Sequence, residues 1–331
     1  IALWCKAFSC FTQPPATPPP LIVSSKQSIH RPLFSCFFAR ENISWPPHRF
    51  SSWRCPLLLL IGLSLIFQPL ALAQVVSSNT ATRVEKAPNG IEVIHIATPQ
   101  KGISNNELHT LDIDSKGAVL NNSATTTSTA LAGLIAGNDH LLNSGSASLI
   151  IAQVPDKKAR LKGFIEIAGP SSHLVVASPL GIDCTDCGFL NASGVDLITG
   201  ASVAANPAVF TLSNAPLNIN NASTQNSLLR LVSAHMRLKG TVQAKKIQMH
   251  LAGPQSTYNV QTTQITGTPK ASALEIGALG VVKAGSIRLK SNALGTGVNE
   301  GVLSADELLV DLEDFTNKGL INTQNHTRLN S

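Results

Sequence analysis

The sequence predicts an all-β chain folded as a right-handed parallel β-helix with an N-terminal cap. The first observation behind this is a ten-residue pattern that returns from Gly188 onward. It runs Gly, any residue, Val or Leu, any, Ala, two of any, an aliphatic residue, any, and a final apolar residue. It fits GFLNASGVDL (188–197), GTVQAKKIQM (240–249), GVVKAGSIRL (280–289) and GVLSADELLV (301–310), and Gly319 begins another copy. The last three full copies start 40 and 21 residues apart. That spacing predicts two turns and one turn of a period of about 20 residues. The second observation is the alternation of apolar residues on both sides of a two-residue break, which predicts two short strands joined by a bend. So short a unit cannot bury its own inner face. Stacked coils bury it, each strand pairing with the next coil at about 4.8 Å. The third is the scarcity of hairpin signals: Asn89-Gly90 is the one Asn-Gly turn between alternating strands. That argues against a sandwich of hairpins. A leucine-rich repeat shares the period, but its Leu-x-x-Leu-x-Leu frame is missing.

The chain opens with a leader. All three tryptophans (Trp4, Trp45, Trp53) and four of the six cysteines (Cys5, Cys10, Cys36, Cys55) lie in its first 55 residues, with the stretch QPPATPPP. No packed domain needs such a composition. The run Pro56 to Ala73 is uncharged and apolar, follows Arg49 and Arg54, and ends Ala71-Leu72-Ala73. Small residues at those two positions predict a secretory signal peptide cut after Ala73, so the mature chain begins at Gln74. The alternative is a transmembrane anchor, since the run is just long enough to span a bilayer. Pro69 and the Ala-x-Ala ending favour cleavage.

Residues 1–73 take most of the positive charge with them. The whole chain carries 25 Lys plus Arg against 19 Asp plus Glu, net +6. Beyond Ala73 the counts are 19 and 18, net +1. A nucleic-acid partner is therefore not indicated by charge. The aromatics left are Phe164, Phe189, Phe210, Tyr258 and Phe315. Few aromatics with many small and β-branched residues suit thin stacked layers.

Several segments then follow in a fixed order: NGIEVIHIATP (89–99), LDIDSKGAVLNNS (111–123), AGLIAGN (132–138), LKGFIEIAG (161–169) and HLVVASPLGIDCTDCGFLNAS (173–193). In order and spacing this stretch resembles the secretion domain of two-partner-secretion exoproteins, the filamentous haemagglutinin family. That family usually carries Asn-Pro-Asn-Leu; Asn138-Asp139-His140-Leu141 keeps its two ends. It also carries Asn-Pro-Asn-Gly-Ile, where this chain has Ser178-Pro179-Leu180-Gly181-Ile182. The resemblance implies no catalysis and no cofactor. It implies an address read on the unfolded chain by an outer-membrane β-barrel transporter with periplasmic receptor domains. Folding outside the cell would follow, nucleated by this domain. The implied location is the medium or cell surface of a Gram-negative bacterium. The implied layout is leader and signal peptide over 1–73, secretion domain over 74–205 and the start of a β-helical shaft over 206–331. Residues 75–110 are expected to cap the first coil. Recognition is expected at Asn138, Leu141, Ser178, Pro179, Gly181 and Ile182, in turns where substitution costs little packing.

Cys184 and Cys187 are the remaining cysteines, spaced Cys-x-x-Cys. In an oxidising compartment a disulfide is expected between them. A thioredoxin-like centre would need a helix at this point, which Gly188 and the following strand repeat contradict. A zinc site would need two more ligands. His140 and His173 lack paired spacing, as do His95, His109 and His235. Asp112-Ile113-Asp114 places two carboxylates on one strand face, read as a solvated face. Asn121-Asn122, Asn218 and Asn220-Asn221 read as turn or ladder positions. No Gly-x-Ser-x-Gly, His-Glu-x-x-His or phosphate-binding loop occurs.

The leading functional expectation is the N-terminal part of a large adhesin-type exoprotein whose downstream shaft meets a host-cell surface. One alternative is a β-helical polysaccharide-degrading enzyme. Asp311, Asp314, Lys290 and Arg288 are too scattered to make its site. The other is a carrier of a C-terminal contact-dependent toxin.

Overall fold

A computed structural model describes residues 74–292 and 294–330. The candidate cleavage residues Ala71 and Ala73 lie outside them. Gln74 is the first described residue, and a strand begins at Val75.

The described chain winds as a parallel β-helix with three strand-bearing faces per coil. Late coils show the plan most simply. Strands Gly295–Asn299, Val302–Asp311, Asp314–Asn317 and Leu320–Asn330 stack in register on the preceding coil. Val302–Asp311 bends through two faces, as the break inside the repeat predicts. Its inward residues continue rows that run down the lumen. Val242, Val282 and Leu303 form one row, and Ile247, Ile287 and Leu308 another; all six are buried. Repeating one apolar side chain on neighbouring rungs buries the same surface at every coil, which is why the repeat pattern specifies the fold.

The first rungs are closed by antiparallel strands. Val75–Ser77 runs against Ile103–Ile113. Arg83–Lys86 forms a hairpin with Glu92–His95 about the Asn89-Gly90 turn, where Gly90 takes a positive φ. Glu92–His95 and Ile103–Ile113 themselves pair in parallel with the coils below. Under this cap Asn106 is fully buried. Its Oδ1 accepts from Ala97 N (2.8 Å) and Thr82 Oγ1 (3.0 Å), and its Nδ2 donates to Ile151 O (3.1 Å).

One expectation about period is corrected. Gly240 and Gly280 are one coil apart, not two, because Val242 pairs directly with Val282. The extra length leaves the helix as the antiparallel hairpin Thr257–Asn259 and Gln264–Thr266. An earlier excursion, Gly200–Val203 with Asn206–Leu212, joins it to make a four-stranded sheet. This sheet lies on the outer side of one helical face. It traps a second core of Ile151, Val175, Ile198, Phe210, Val232 and Tyr258. A third, smaller core lies under the hairpin Thr127–Thr129 and Gly133–Ile135. There Glu166 accepts from the backbone N–H groups of Ala130 (2.7 Å) and Leu131 (2.8 Å).

Outward aromatic rings fill spaces left by glycines one rung on. A Cβ at Gly188 would meet the Phe164 ring at 2.2 Å, and one at Gly194 would meet His173 Nδ1 at 2.6 Å. Glycine is required at both positions by close approach rather than by φ.

Candidate functional site

The segment 138–141 forms a short 3-10 turn. Asn138 is its N-cap: its Oδ1 accepts from His140 N (3.2 Å), while its Nδ2 donates to Ile96 O (2.9 Å) and Asn121 O (3.1 Å). Asn138 is 1% exposed, and Leu141 is wholly buried in the main core. Asn121 and Asn122 brace the same region. Asn121 Nδ2 donates to Ala136 O, and Asn122 exchanges hydrogen bonds with both Ala147 N and Ala147 O.

The second motif turns the chain between the strands Ser172–Ala177 and Ile182–Leu190. Ser178 is buried; its hydroxyl donates to Lys157 O (2.7 Å) and accepts from Leu180 N (3.2 Å). Pro179 is half-buried, and Leu180 is exposed. Gly181 has φ +104°, and a Cβ there would lie 2.8 Å from Pro216 O. Ile182 points into the core. No hydrogen bond joins the two motif turns among the described residues.

The expectation that substitution in these turns costs little packing is therefore corrected. Asn138, Leu141, Ser178 and Ile182 are interior groups, and Gly181 answers to both a left-handed φ and a tight contact. Asn138 to Leu141 and Ser178 to Gly181 lie in turns as expected, whereas Ile182 opens the next strand. Sequence reasoning missed that turn side chains in a coil stack bond the backbone of neighbouring segments, as Asn138 does to Ile96 and Asn121 and Ser178 does to Lys157.

Cys184 and Cys187 follow directly. They are joined in a disulfide with Cα atoms 5.5 Å apart, and both face the lumen. The bond spans a corner where Asp186 adopts φ +55°. In the next coil Asn221 takes the same turn with φ +66°. Its Nδ2 donates to Asp186 Oδ1 (2.7 Å), and its Oδ1 accepts from Thr241 N (2.7 Å). A polar ladder thus ties three rungs at this corner. Asp112 lies 3.6 Å from Arg160, and Asp114, just past the end of the strand Ile103–Ile113, accepts from Lys116 N, so the two carboxylates serve separate local contacts rather than one strand face.

A polar cluster that the sequence did not reveal lies between the helical face and the four-stranded sheet. Asp196 is fully buried. His173 Nε2 is 2.8 Å from its Oδ1, and Tyr258 donates to its Oδ2 at 3.4 Å. Arg230 Nε stands 3.2 Å from Asp196, close enough to pair but not aligned as a hydrogen bond. Its Nη1 donates to Tyr258 Oη (2.8 Å) and Val260 O (3.2 Å). His250 packs beside Tyr258, with ring centroids 5.9 Å apart. Burial, and then the Arg230 cation, push its pKa down to about 4. Burial and the Asp196 charge push Tyr258 upward. The signal was present only as register: Asp196 pairs with Arg230, and Val232 with His250. Spacing in the sequence does not disclose it. Nearer the cap, burial lowers the pKa of His95, while its Nε2 contact with Glu85 (2.7 Å) opposes the shift.

Among the described residues, no group of three or more His, Cys, Asp or Glu side chains is placed to hold a metal. What fold and site define is a capped parallel β-helix whose polar groups are spent on closing turns and clamping excursions. The TPS secretion domain model matches residues 73–321, and the chain belongs to that family. The 16S rRNA endonuclease CdiA of Enterobacter cloacae subsp. cloacae is 33% identical over 264 residues, covering 74% of this chain and 8% of that protein. The hemolysin of Proteus mirabilis is 31% identical over 231 residues, covering 67% of this chain and 14% of that protein. The crystal structure of the filamentous hemagglutinin secretion domain superposes with a TM-score of 0.61 at 23% identity, covering 76% of this chain and 96% of that one. The fold is thus that of a secretion domain, a non-enzymatic module of exported Gram-negative exoproteins that works with an outer-membrane transporter. This chain spans about a tenth of the length of the curated relatives it matches.

Proposed function

We infer that residues 74–205 serve as the export address and folding nucleus of a larger exoprotein, with 206–331 beginning its shaft. The partner is an outer-membrane transporter whose periplasmic receptor domains read the open chain. The observation that carries this reading is the burial of Asn138, Leu141, Ser178 and Ile182. A partner that reads these side chains has access to them before the coils close. Cleavage after Ala73 fits the same account, since the strand that seals the cap starts at Val75.

The test measures export and stability together. Asn138→Ala removes three hydrogen bonds from a buried site, so the folded domain should lose about 2 kcal/mol. Secreted yield should fall further than that loss explains. Refolded Asn138→Ala should match wild type once stability is restored by a compensating core change, yet remain poorly exported. Export that tracks stability alone would defeat the address role.

A second reading concerns what lies downstream. Several relatives are named nucleases or toxins, which favours a C-terminal toxin carried by the shaft over adhesion to a host surface. Growth inhibition of neighbouring cells by the full-length protein, lost on C-terminal deletion, is the expected result.

A further inference from the structure

On one face, four successive rungs carry long cationic side chains on the outer two and shorter polar ones on the inner two. Arg160, Asp183, Asn218 and Arg237 occupy one outward column. Lys162, Thr185, Asn220 and Lys239 lie two residues further along each rung. Rungs are about 4.8 Å apart, so the first and last stand about 14 Å apart. Arg160 with Lys162 forms one rim, and Arg237 with Lys239 the other; all four are exposed. The shorter side chains between them leave a trough of about 500 Å³.

The charges are arranged with a sign. Asp183, the one acid in the floor, is neutralised by Lys158 at 3.1 Å and receives a hydrogen bond from Asn218 at 2.8 Å. Arg160 and Arg237 are held at the rims by Asp112 (3.6 Å) and Glu275 (3.5 Å), each one rung outside the trough. Lys162 and Lys239 make no ion pair among the described residues. The floor offers amide and hydroxyl groups from Asn218, Asn220 and Thr185, and no aromatic side chain lines it.

We propose that this trough binds a strand of acidic glycan. Carboxylate or sulfate groups lie against Lys162 and Lys239, and sugar hydroxyls meet the amide floor. Without an aromatic platform the trough lacks the stacking that holds single-stranded nucleic acid. The role goes beyond export, since it belongs to the folded, displayed domain.

The experiment is calorimetric titration of the full folded chain with a chondroitin sulfate hexasaccharide and, separately, an oligogalacturonate hexamer. Oligothymidylate and neutral maltohexaose serve as comparators. At least one acidic hexamer should bind, more weakly at physiological than at low salt. Sulfate-only binding assigns the sulfated class; binding of both shows that a carboxylate suffices. Lys162→Glu with Lys239→Glu should weaken binding about tenfold or more while thermal melting stays at the wild-type temperature. Asn220→Leu should weaken it less and leave the salt dependence unchanged. Absence of binding, an unaffected double variant, or equal affinity for oligothymidylate or maltohexaose would each overturn the proposal.

Discussion

The lumen and the clamp over one face solve burial in opposite ways. In the lumen, rows such as Ile247–Ile287–Leu308 repeat one apolar solution at each coil. Under the four-stranded sheet, Asp196, Arg230, Tyr258 and His250 form a single cluster that occurs once. A repeated apolar row tolerates modest change because each rung carries a small share. A unique ionic cluster concentrates its risk, because removing one partner strands another in a dry interior.

The most severe break should be Ile247→Asp. It buries an unpaired carboxylate between Leu229 and Ile287, and the chain should lose about 4 kcal/mol or more. Limited proteolysis should then cut near strand Lys246–Leu251. A wild-type digestion pattern would show that the row is not continuous. Next comes Asp196→Ala, which leaves the Arg230 cation buried without its partner and should cost about 3–5 kcal/mol. The paired change Asp196→Leu with Arg230→Met should recover most of that loss. Failure to recover in denaturant unfolding would mean that the cluster has a role beyond satisfying itself.

Acid sharpens the same contrast. His250 titrates at about 4 in the folded chain, against about 6.5 unfolded. Between those values the unfolded chain holds more protons, so stability falls as pH drops through the window. The loss should reach roughly 3 kcal/mol. His250→Leu should flatten it, leaving a remnant from His95, whose pKa is lowered in the same direction. Unfolding midpoints at neutral and mildly acidic pH decide the matter; an unchanged slope would place the proton elsewhere. The smallest effect belongs to the disulfide. Closing a four-residue loop is worth about 2 kcal/mol on chain entropy. Cys184→Ala with Cys187→Ala should therefore lower the melting temperature while leaving the circular dichroism spectrum unaltered. A lost β signal would make the bond essential to the nucleus.

The repeat was legible because periodicity and burial coincide. Val242, Val282 and Leu303 announce their row in the primary sequence. The excursions were not legible, because Gly200–Leu212 and Thr257–Thr266 do not repeat. Their partners lie far apart in the sequence: Phe210 pairs with Tyr258, 48 residues later. The 40-residue interval was misread for this reason: a hairpin inserted at a coil corner adds length without adding a rung. Asp196 and Arg230 were invisible for a related reason. They meet only through register, and register depends on how many residues each excursion removes from the helix. The motif turns were placed correctly, but their burial depends on neighbours such as Ile96 and Pro216 that no local pattern names.

Under the proposed role of Asn138 in recognition, its interior position makes partner binding and coil closure mutually exclusive uses of the same amide. Its Nδ2 is given to Ile96 O and Asn121 O in the folded domain, and would have to be released from both to meet a receptor. Folding then acts as a competitor for the receptor. Each increment in the folding equilibrium constant lowers the apparent affinity by the same factor. A closed state favoured by about 5.5 kcal/mol would reduce it by about four orders of magnitude. On that proposal a domain that has closed no longer offers this amide to a receptor, so closure itself would oppose rebinding.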